Sequence, residues 1–284
     1  MAEQGYLICL QAVARRPEAQ RFHFISADVT SSEENQRILR ETTEWNAGNP
    51  PDIVWANAGA SVPGLFLDTS IETLKSQMDI NYFAALYLAH ATFKLWLTST
   101  PASSTLKSNR SSLPRHFLMT SSVAAFIGLA GYSPYSPAKA ALRSLHDTLR
   151  SELNLYNHAK PTNNSVPDIE IHTIFPGSIS SPGLQRENET KHGVTKLLEE
   201  DDVVQTPQEV ARVTVAELEK GKHMITTQWL GMVMRAAGLM TSLKDSWLAD
   251  TILPAVMQLI MPFIQMDLQG KVRKWARDHG RPEH

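Results

Sequence analysis

The sequence predicts an α/β fold, a doubly wound parallel sheet with helices on both faces. Three observations predict it. From residue 22 onward, short apolar runs alternate with stretches of helical periodicity. Each apolar run ends in polar or glycine-bearing residues. The composition, 42% hydrophobic and 20% charged over 284 residues, is that of an ordinary soluble chain long enough for one large α/β domain.

The elements follow in order. Residues 21–29 (RFHFISADV) read as a strand ending in a polar turn, and Ser31 or Ser32 then caps a helix running to about Trp45. Residues 52–56 (DIVWA) are a continuous apolar run, as expected of a strand buried on both faces. Residues 71–97 read as one long helix with apolar positions at Met78, Phe83, Leu86, Leu88 and Phe93. Residues 116–121 are a strand, 135–156 a helix, and 170–175 (EIHTIF) a further strand. Strand and helix alternating in this way give a parallel sheet. Residues 98–115 and 157–168, rich in Ser, Pro and Asn, read as solvated loops at the N-terminal side of the strands.

Charge and cysteine content exclude several functions. With 27 basic and 29 acidic residues the net charge is −2, and no basic stripe alternates with aromatics, so nucleic acid is not an expected partner. The lone cysteine, Cys9, excludes an internal disulfide framework and a cysteine-rich metal site, and no metal is expected.

In open parallel sheets ligands sit at the carboxyl ends of the strands. There the sequence places Asp28-Val29, Asn57-Ala58-Gly59, Ser121-Ser122 and Pro176-Gly177-Ser178-Ile179. Any one of these is ordinary turn chemistry. Tyr135 and Lys139, four residues apart, share one helix face. An ammonium group beside a phenol stabilises the phenolate, so the Tyr135 pKa is expected to fall toward neutrality, suiting it to protonate a carbonyl under reduction. Ser122, at a strand end, could hydrogen-bond the same developing oxyanion.

Together these residues resemble the short-chain dehydrogenase/reductase family over about residues 21–218. The resemblance implies a Rossmann-type sheet, with Tyr135 as proton donor and Lys139 on the nicotinamide ribose. Ser122 would orient the substrate carbonyl, and Asn81, in Asp-Ile-Asn, would hold a water in the proton relay. Asp28 and Val29 match the adenine-contacting pair, Asn57-Ala58-Gly59 the central-strand motif, and Pro176, Gly177 and Ile179 the loop over the nicotinamide. A finer resemblance, carried by NAGASVPGLFLD, YSPYSPAKAALRSL and PGSISSPGLQRENETKHGVTKLLEE, is to the 3-ketodihydrosphingosine reductases. It implies NADPH as cofactor and a long-chain sphingoid-base ketone as substrate. Residues 182–191 (PGLQRENETK) read as the substrate loop, in which Glu187 or Glu189 could favour the substrate's ammonium group.

Residues 229–243 and 247–264 are the most apolar stretches, the second about the minimum length for crossing a bilayer. Lys271, Arg273, Lys274 and Arg277 follow, suggesting a cytosolic flank. Asp250, Pro254 and Pro262 argue against a straight span, so the chain is divided at residue 222 into a reductase domain (1–222) and a C-terminal apolar segment (223–284) expected to contact membrane lipid, with a buried terminal helix pair or a dimer interface as the alternative. The resemblance implies the endoplasmic reticulum membrane with the active site facing the cytosol, and homodimerisation through the helices at 71–97 and 135–156.

The family's opening strand, glycine-rich turn and helix, which hold the pyrophosphate, have no match in the sequence. The fold is accordingly expected to be N-terminally truncated, lacking the central strand, and to bind NADPH poorly. A reductase of another lipid or steroid carbonyl, or a non-catalytic membrane interaction module, are the alternatives.

Overall fold

The computed structural model describes residues 20–98, 113–158, 167–238 and 249–279. Helix α1 (Ser32–Trp45) starts where the Ser31 hydroxyl accepts the Glu34 amide, with Glu33 and Glu34 complementing the positive end of the helix. Strand β1 (Ile53–Ala56) leads through a loop to helix α2 (Ile71–Met78), which Ser70 caps. A π-helical turn (Asp79–Phe83) runs on into helix α3 (Ala84–Thr98). The long helix expected here therefore carries a bulge, and buried Asn81 lies inside it. π-bulges of this kind are frequent at functional sites.

Strand β2 (Arg115–Thr120), a short 3₁₀ turn (Val123–Ala125), helix α4 (Ser136–Asn157) and strand β3 (Ile169–Phe175) follow. Then come helices α5 (Pro182–Thr190), α6 (Gly193–Leu198) and α7 (Pro207–Glu219), and strand β4 (Met224–Thr226). The chain closes with helices α8 (Trp229–Gly238) and α9 (Ala249–His279). All strand pairings are parallel, in the order β1-β2-β3-β4.

The sheet's two faces follow from the period of two along each strand. Val54, Ala56, Phe117, Met119, Ile169 and Ile171 face one side and form the main core with Leu39 of α1, Trp96 of α3 and Leu142 of α4. Leu118, Ile174 and Ile225 face the other side, where Leu218 of α7 packs on them. At the end of β3, Phe175 packs with Ala125 and Met224.

Four expectations are corrected. Residues 21–29 form no strand. No described strand offers this segment a ladder, and its anchorage comes from side chains instead: His23 stacks on Trp45 at 5.4 Å and the Arg21 guanidinium lies 4.4 Å above the same ring. Strand β1 is not buried on both faces, because Ile53 and Trp55 are 63% and 40% exposed. They point to the same face as Leu118, the face on which Leu218 of α7 packs. The expected substrate loop is helical: Ser181 accepts the Leu184 amide and Pro182 opens α5. The sheet also continues past residue 222, since β4 pairs with β3 and α8 packs its Val233 and Ala236 inward.

The loops expected at 98–115 and 157–168 fall mostly on residues 99–112 and 159–166, outside the described residues. Of the C-terminal apolar stretches, residues 239–248 lie outside the described residues. Among the described residues no helix is long and apolar enough to cross a membrane. Helix α9 exposes Leu259, Phe263 and Met266 in its middle and turns basic toward its end.

Candidate active site

The carboxyl ends of β1, β2 and β3 open into a pocket of about 590 Å³. Its lining includes Asn57, Gly59, Asn81, Ser122, Tyr135, Lys139, Pro176, Gly177 and Ile179, so nine expected site residues from five separate stretches meet there. Ala58, Asp28 and Val29 do not line it. The Asp28 carboxylate instead accepts the Thr30 amide at 2.9 Å and its hydroxyl at 2.6 Å, which lowers the Asp28 pKa.

Each reactive side chain is placed by its element. Tyr135 precedes the first turn of α4, and Lys139 follows on the same face, its Nζ 5.5 Å from the Tyr135 ring centroid. Lys139 Nζ donates to the Thr120 carbonyl at 3.0 Å. Burial pushes the Lys139 ammonium down to about 8. The Tyr135 phenol is pushed above its ordinary range by burial, against a hydrogen bond with Ser122 that lowers it and the Glu187 charge that raises it further. The expected fall toward neutrality is thus reversed. Burial disfavours the phenolate, and the neighbouring ammonium is itself hard to keep charged.

Asn81 is held from three sides. Its Nδ2 donates to the Ala60 carbonyl at 2.7 Å and to the Gln77 carbonyl at 3.0 Å, and its Oδ1 accepts the Ala60 amide at 3.2 Å. Gly59 makes this approach possible. A Cβ there would stand 2.9 Å from Asn81 Oδ1 and 3.3 Å from Lys139 Nζ. Gly177 plays the same part in the next loop, where a Cβ would meet Gln228 Nε2 at 1.7 Å. Asn57 Oδ1 accepts from the Thr120 hydroxyl at 2.6 Å, tying the ends of β1 and β2.

The opposite wall is acidic, and sequence reading found only part of it. Glu187 of α5 lines the pocket with Glu199 and Asp202, whereas Glu189 is exposed and does not. The hydroxyl of buried Tyr132 lies 2.6 Å from Glu187 Oε1 and 2.5 Å from Glu199 Oε1, its one proton shared between them, and the phenol is held far above its ordinary pKa by burial and these carboxylates. Lys191, buried beneath them, pairs with Glu187 at 3.0 Å and Glu199 at 2.5 Å. Burial opposes its charge, but the two carboxylates outweigh that and raise its pKa. Asp202 is raised by burial and by Glu199. Three carboxylates thus face one lysine here, although Arg186 and Lys139 also line the pocket. A second tyrosine three residues before Tyr135 was the one available signal for this wall.

The strand ends fit the nicotinamide end of a dinucleotide. Lys139 and Tyr135 supply donors, and the 176–179 loop stands over the same floor. Among the described residues no glycine-rich turn opens a helix beside it.

A family model described as short chain dehydrogenase matches residues 8–192. The chain is 43% identical over 281 residues to the 3-ketodihydrosphingosine reductase ksrA of Aspergillus fumigatus, covering 97% of this chain and 75% of that one. It is 37% identical over 277 residues to the 3-ketodihydrosphingosine reductase gsl-3 of Neurospora crassa, covering 97% and 73%. Among solved structures, a short chain dehydrogenase/reductase of Burkholderia phymatum in complex with NAD superposes with a TM-score of 0.62 at 14% identity, over 83% of this chain and 80% of that one. That likeness is one of fold.

Proposed function

The chain belongs to the short-chain dehydrogenase family, and on that footing we propose that it reduces the 3-keto group of 3-ketodihydrosphingosine to the alcohol of dihydrosphingosine, with NADPH as hydride donor. One observation carries the reading: a single pocket joins a Ser122–Tyr135–Lys139 cluster, suited to a carbonyl, to a carboxylate wall suited to an ammonium group. The relatives of that name, similar over nearly the whole chain, support the same substrate.

NADPH supplies the hydride when bound. Lys139 and the 176–179 loop would hold the nicotinamide end, and Tyr135 would donate its phenolic proton to the carbonyl oxygen of the substrate, giving the alcohol. A phenol held above its ordinary range keeps its proton at neutral pH and is a weaker acid for it, so the transfer is driven by the much more basic alkoxide that hydride addition creates. Ser122, which lines the pocket with the phenol, is placed to donate to the same oxygen. Asn81, pinned between Ala60 and Gln77, fixes the strand end beside Lys139.

Membrane lipid belongs to the same reading. Leu259, Phe263 and Met266 stand exposed on α9 ahead of Arg273, Lys274 and Arg277, a sequence of apolar then basic groups suited to an anionic bilayer surface. The family resemblance supports the endoplasmic reticulum membrane, the site facing the cytosol, and homodimerisation through the helical stretches at 71–97 and 135–156.

The test is turnover of the detergent-solubilised chain with NADPH on 3-ketodihydrosphingosine, on a neutral 3-keto chain of equal length and on a steroid ketone. Preference for the amino ketone, abolished by Tyr135→Phe, is the expected result. Preference for the steroid overturns the substrate. Failure of the folded chain to bind NADPH, read by tryptophan quenching, overturns the reaction.

A further inference from the structure

Helix α9 grips the short helix α6 at both ends, and the contacts are made by one stripe of α9. Lys271 and Trp275 are four residues apart and so lie on one face. Near the start of α6, the Trp275 ring lies so close to Gly193 that a Cβ there would fall 2.3 Å from its Cη2. The same ring meets His192 edge-on at 6.0 Å and is stacked from behind by His279 at 3.8 Å. Just past the end of α6, Lys271 Nζ pairs with Glu200 at 3.3 Å and Asp201 at 3.6 Å.

The residues between and beside these two grips build the acidic wall. Lys191 precedes the first grip and Asp202 follows the second, while Glu199 lies between them. Lys191 and Glu199 are paired at 2.5 Å, and Glu199 receives the Tyr132 hydroxyl at 2.5 Å. Buried Thr195 of α6 donates to the Ala130 carbonyl at 3.0 Å. Tyr132 in turn offers its carbonyl to the Tyr135 and Ser136 amides at 3.0 and 2.9 Å, so it forms the turn that presents the reactive phenol. From Trp275 and Lys271 to Tyr135 the path is a continuous set of packed or hydrogen-bonded groups.

From this geometry we infer that Trp275 and Lys271 are positioning residues for the active site: α9 holds α6 so that Glu199, Lys191 and Asp202 form the wall that receives the substrate's ammonium group. The inference rests on the proposed amino-ketone substrate for its kinetic consequence, and on the contacts alone for its structural one. The wall lies away from the reacting carbon, so its loosening removes binding common to ground state and transition state, which appears in KM and not in kcat.

Two experiments test it. In steady-state kinetics, Trp275→Ala and Lys271→Ala should each raise KM for 3-ketodihydrosphingosine on the order of three- to tenfold with kcat changed by less than about twofold. A neutral keto chain should show a smaller rise, and Trp275→Phe should recover part of the loss. Unchanged KM in both alanine variants of an enzyme that does turn over the amino ketone overturns the inference and leaves the function standing. In hydrogen–deuterium exchange on the ligand-free chain, Lys271→Ala, at a half-exposed site that does not threaten folding, should speed exchange at 191–202 and also at 130–136. Faster exchange confined to α9 and α6 overturns the inference even if the amino ketone proves not to be the substrate.

Discussion

Lys139 Nζ stands 5.5 Å from the centroid of the Tyr135 ring, yet the phenol is held above its ordinary pKa. Burial is the larger cause, outweighing the effect of Ser122 that lowers it. The ammonium spends a hydrogen bond on the Thr120 carbonyl and is itself pushed down to about 8. In the ligand-free protein Tyr135 should therefore contribute no phenolate absorbance at 295 nm below about pH 10. The difference between the titration curves of the parent chain and Tyr135→Phe measures this. A phenolate appearing near pH 7 would restore the direction expected from spacing alone. The same variant should lower kcat by about 10²–10⁴-fold, the range for loss of a general acid, while leaving thermal stability nearly unchanged.

A buried lysine also bears on stability. Burial makes the charged form of Lys139 unfavourable in the fold, while the unfolded chain keeps it near 10.5. Between about pH 8 and 10.5 the unfolded state binds the proton and the folded state does not, so stability should rise with pH across that window. Lys139→Met removes the penalty. It should stabilise the ligand-free chain at pH 7 by about 1–3 kcal/mol and abolish reduction. Chemical denaturation at pH 7 decides: a Met variant no more stable than the parent would mean that the Thr120 hydrogen bond outweighs the cost of burying the charge.

The strand ends were legible because ligand-bearing positions in a parallel sheet are fixed by topology, and Tyr135 and Lys139 because helix geometry fixes a spacing of four. What pairs across the fold was not. The Tyr132–Glu187–Glu199–Lys191 wall joins residues up to 67 apart in sequence, and nothing local announces that Lys191 lies buried beneath two carboxylates. Ile53 and Trp55 show the same limit from another side, since an apolar side chain does not reveal whether a helix covers it. Helix α5 was missed although Ser181 and Pro182 carry both of its start signals. None of its residues is buried, so the apolar periodicity that usually marks a helix is absent.

Between the two glutamates left open by the sequence, the pocket selects Glu187. Glu187→Gln should raise KM for the amino ketone by about tenfold, as expected for losing a charge-assisted contact, and Glu189→Gln should leave it unchanged. The measurement is a pair of saturation curves with NADPH fixed. Equal effects from both variants would remove Glu187 from the ammonium-binding wall.

His146 should make the fold acid-sensitive. It is fully buried in the main core, shares a 2.9 Å hydrogen bond with Thr173, and burial pushes it down to about 3. Above pH 6.5 neither state is protonated there, and the group has no effect on stability. As pH falls from 6.5 toward 3 only the unfolded chain takes the proton, so stability declines, by at most about 1.4 kcal/mol per pH unit. Urea midpoints measured from pH 7 to 5 should fall more steeply for the parent than for His146→Asn. Parallel slopes would mean that another group governs acid unfolding.

Gly131 joins the wall to the helix that carries Tyr135, and its place admits no side chain. Its φ is +95°, a region that L-residues rarely adopt, and a Cβ would stand 1.9 Å from Thr195 Oγ1 and 3.0 Å from Thr195 Cβ. Thr195 cannot swing clear without breaking its bond to the Ala130 carbonyl. Gly131→Ala therefore combines backbone strain of about 1–3 kcal/mol with the loss of one buried hydrogen bond, and thermal denaturation should show a clear drop. The displaced Thr195 would carry α6 with it, so the surviving folded enzyme should also bind the amino ketone less tightly. A variant with parental stability would show that the 130–132 turn relaxes freely, and then Tyr132 could not be holding Glu187 and Glu199 in register with the reacting phenol.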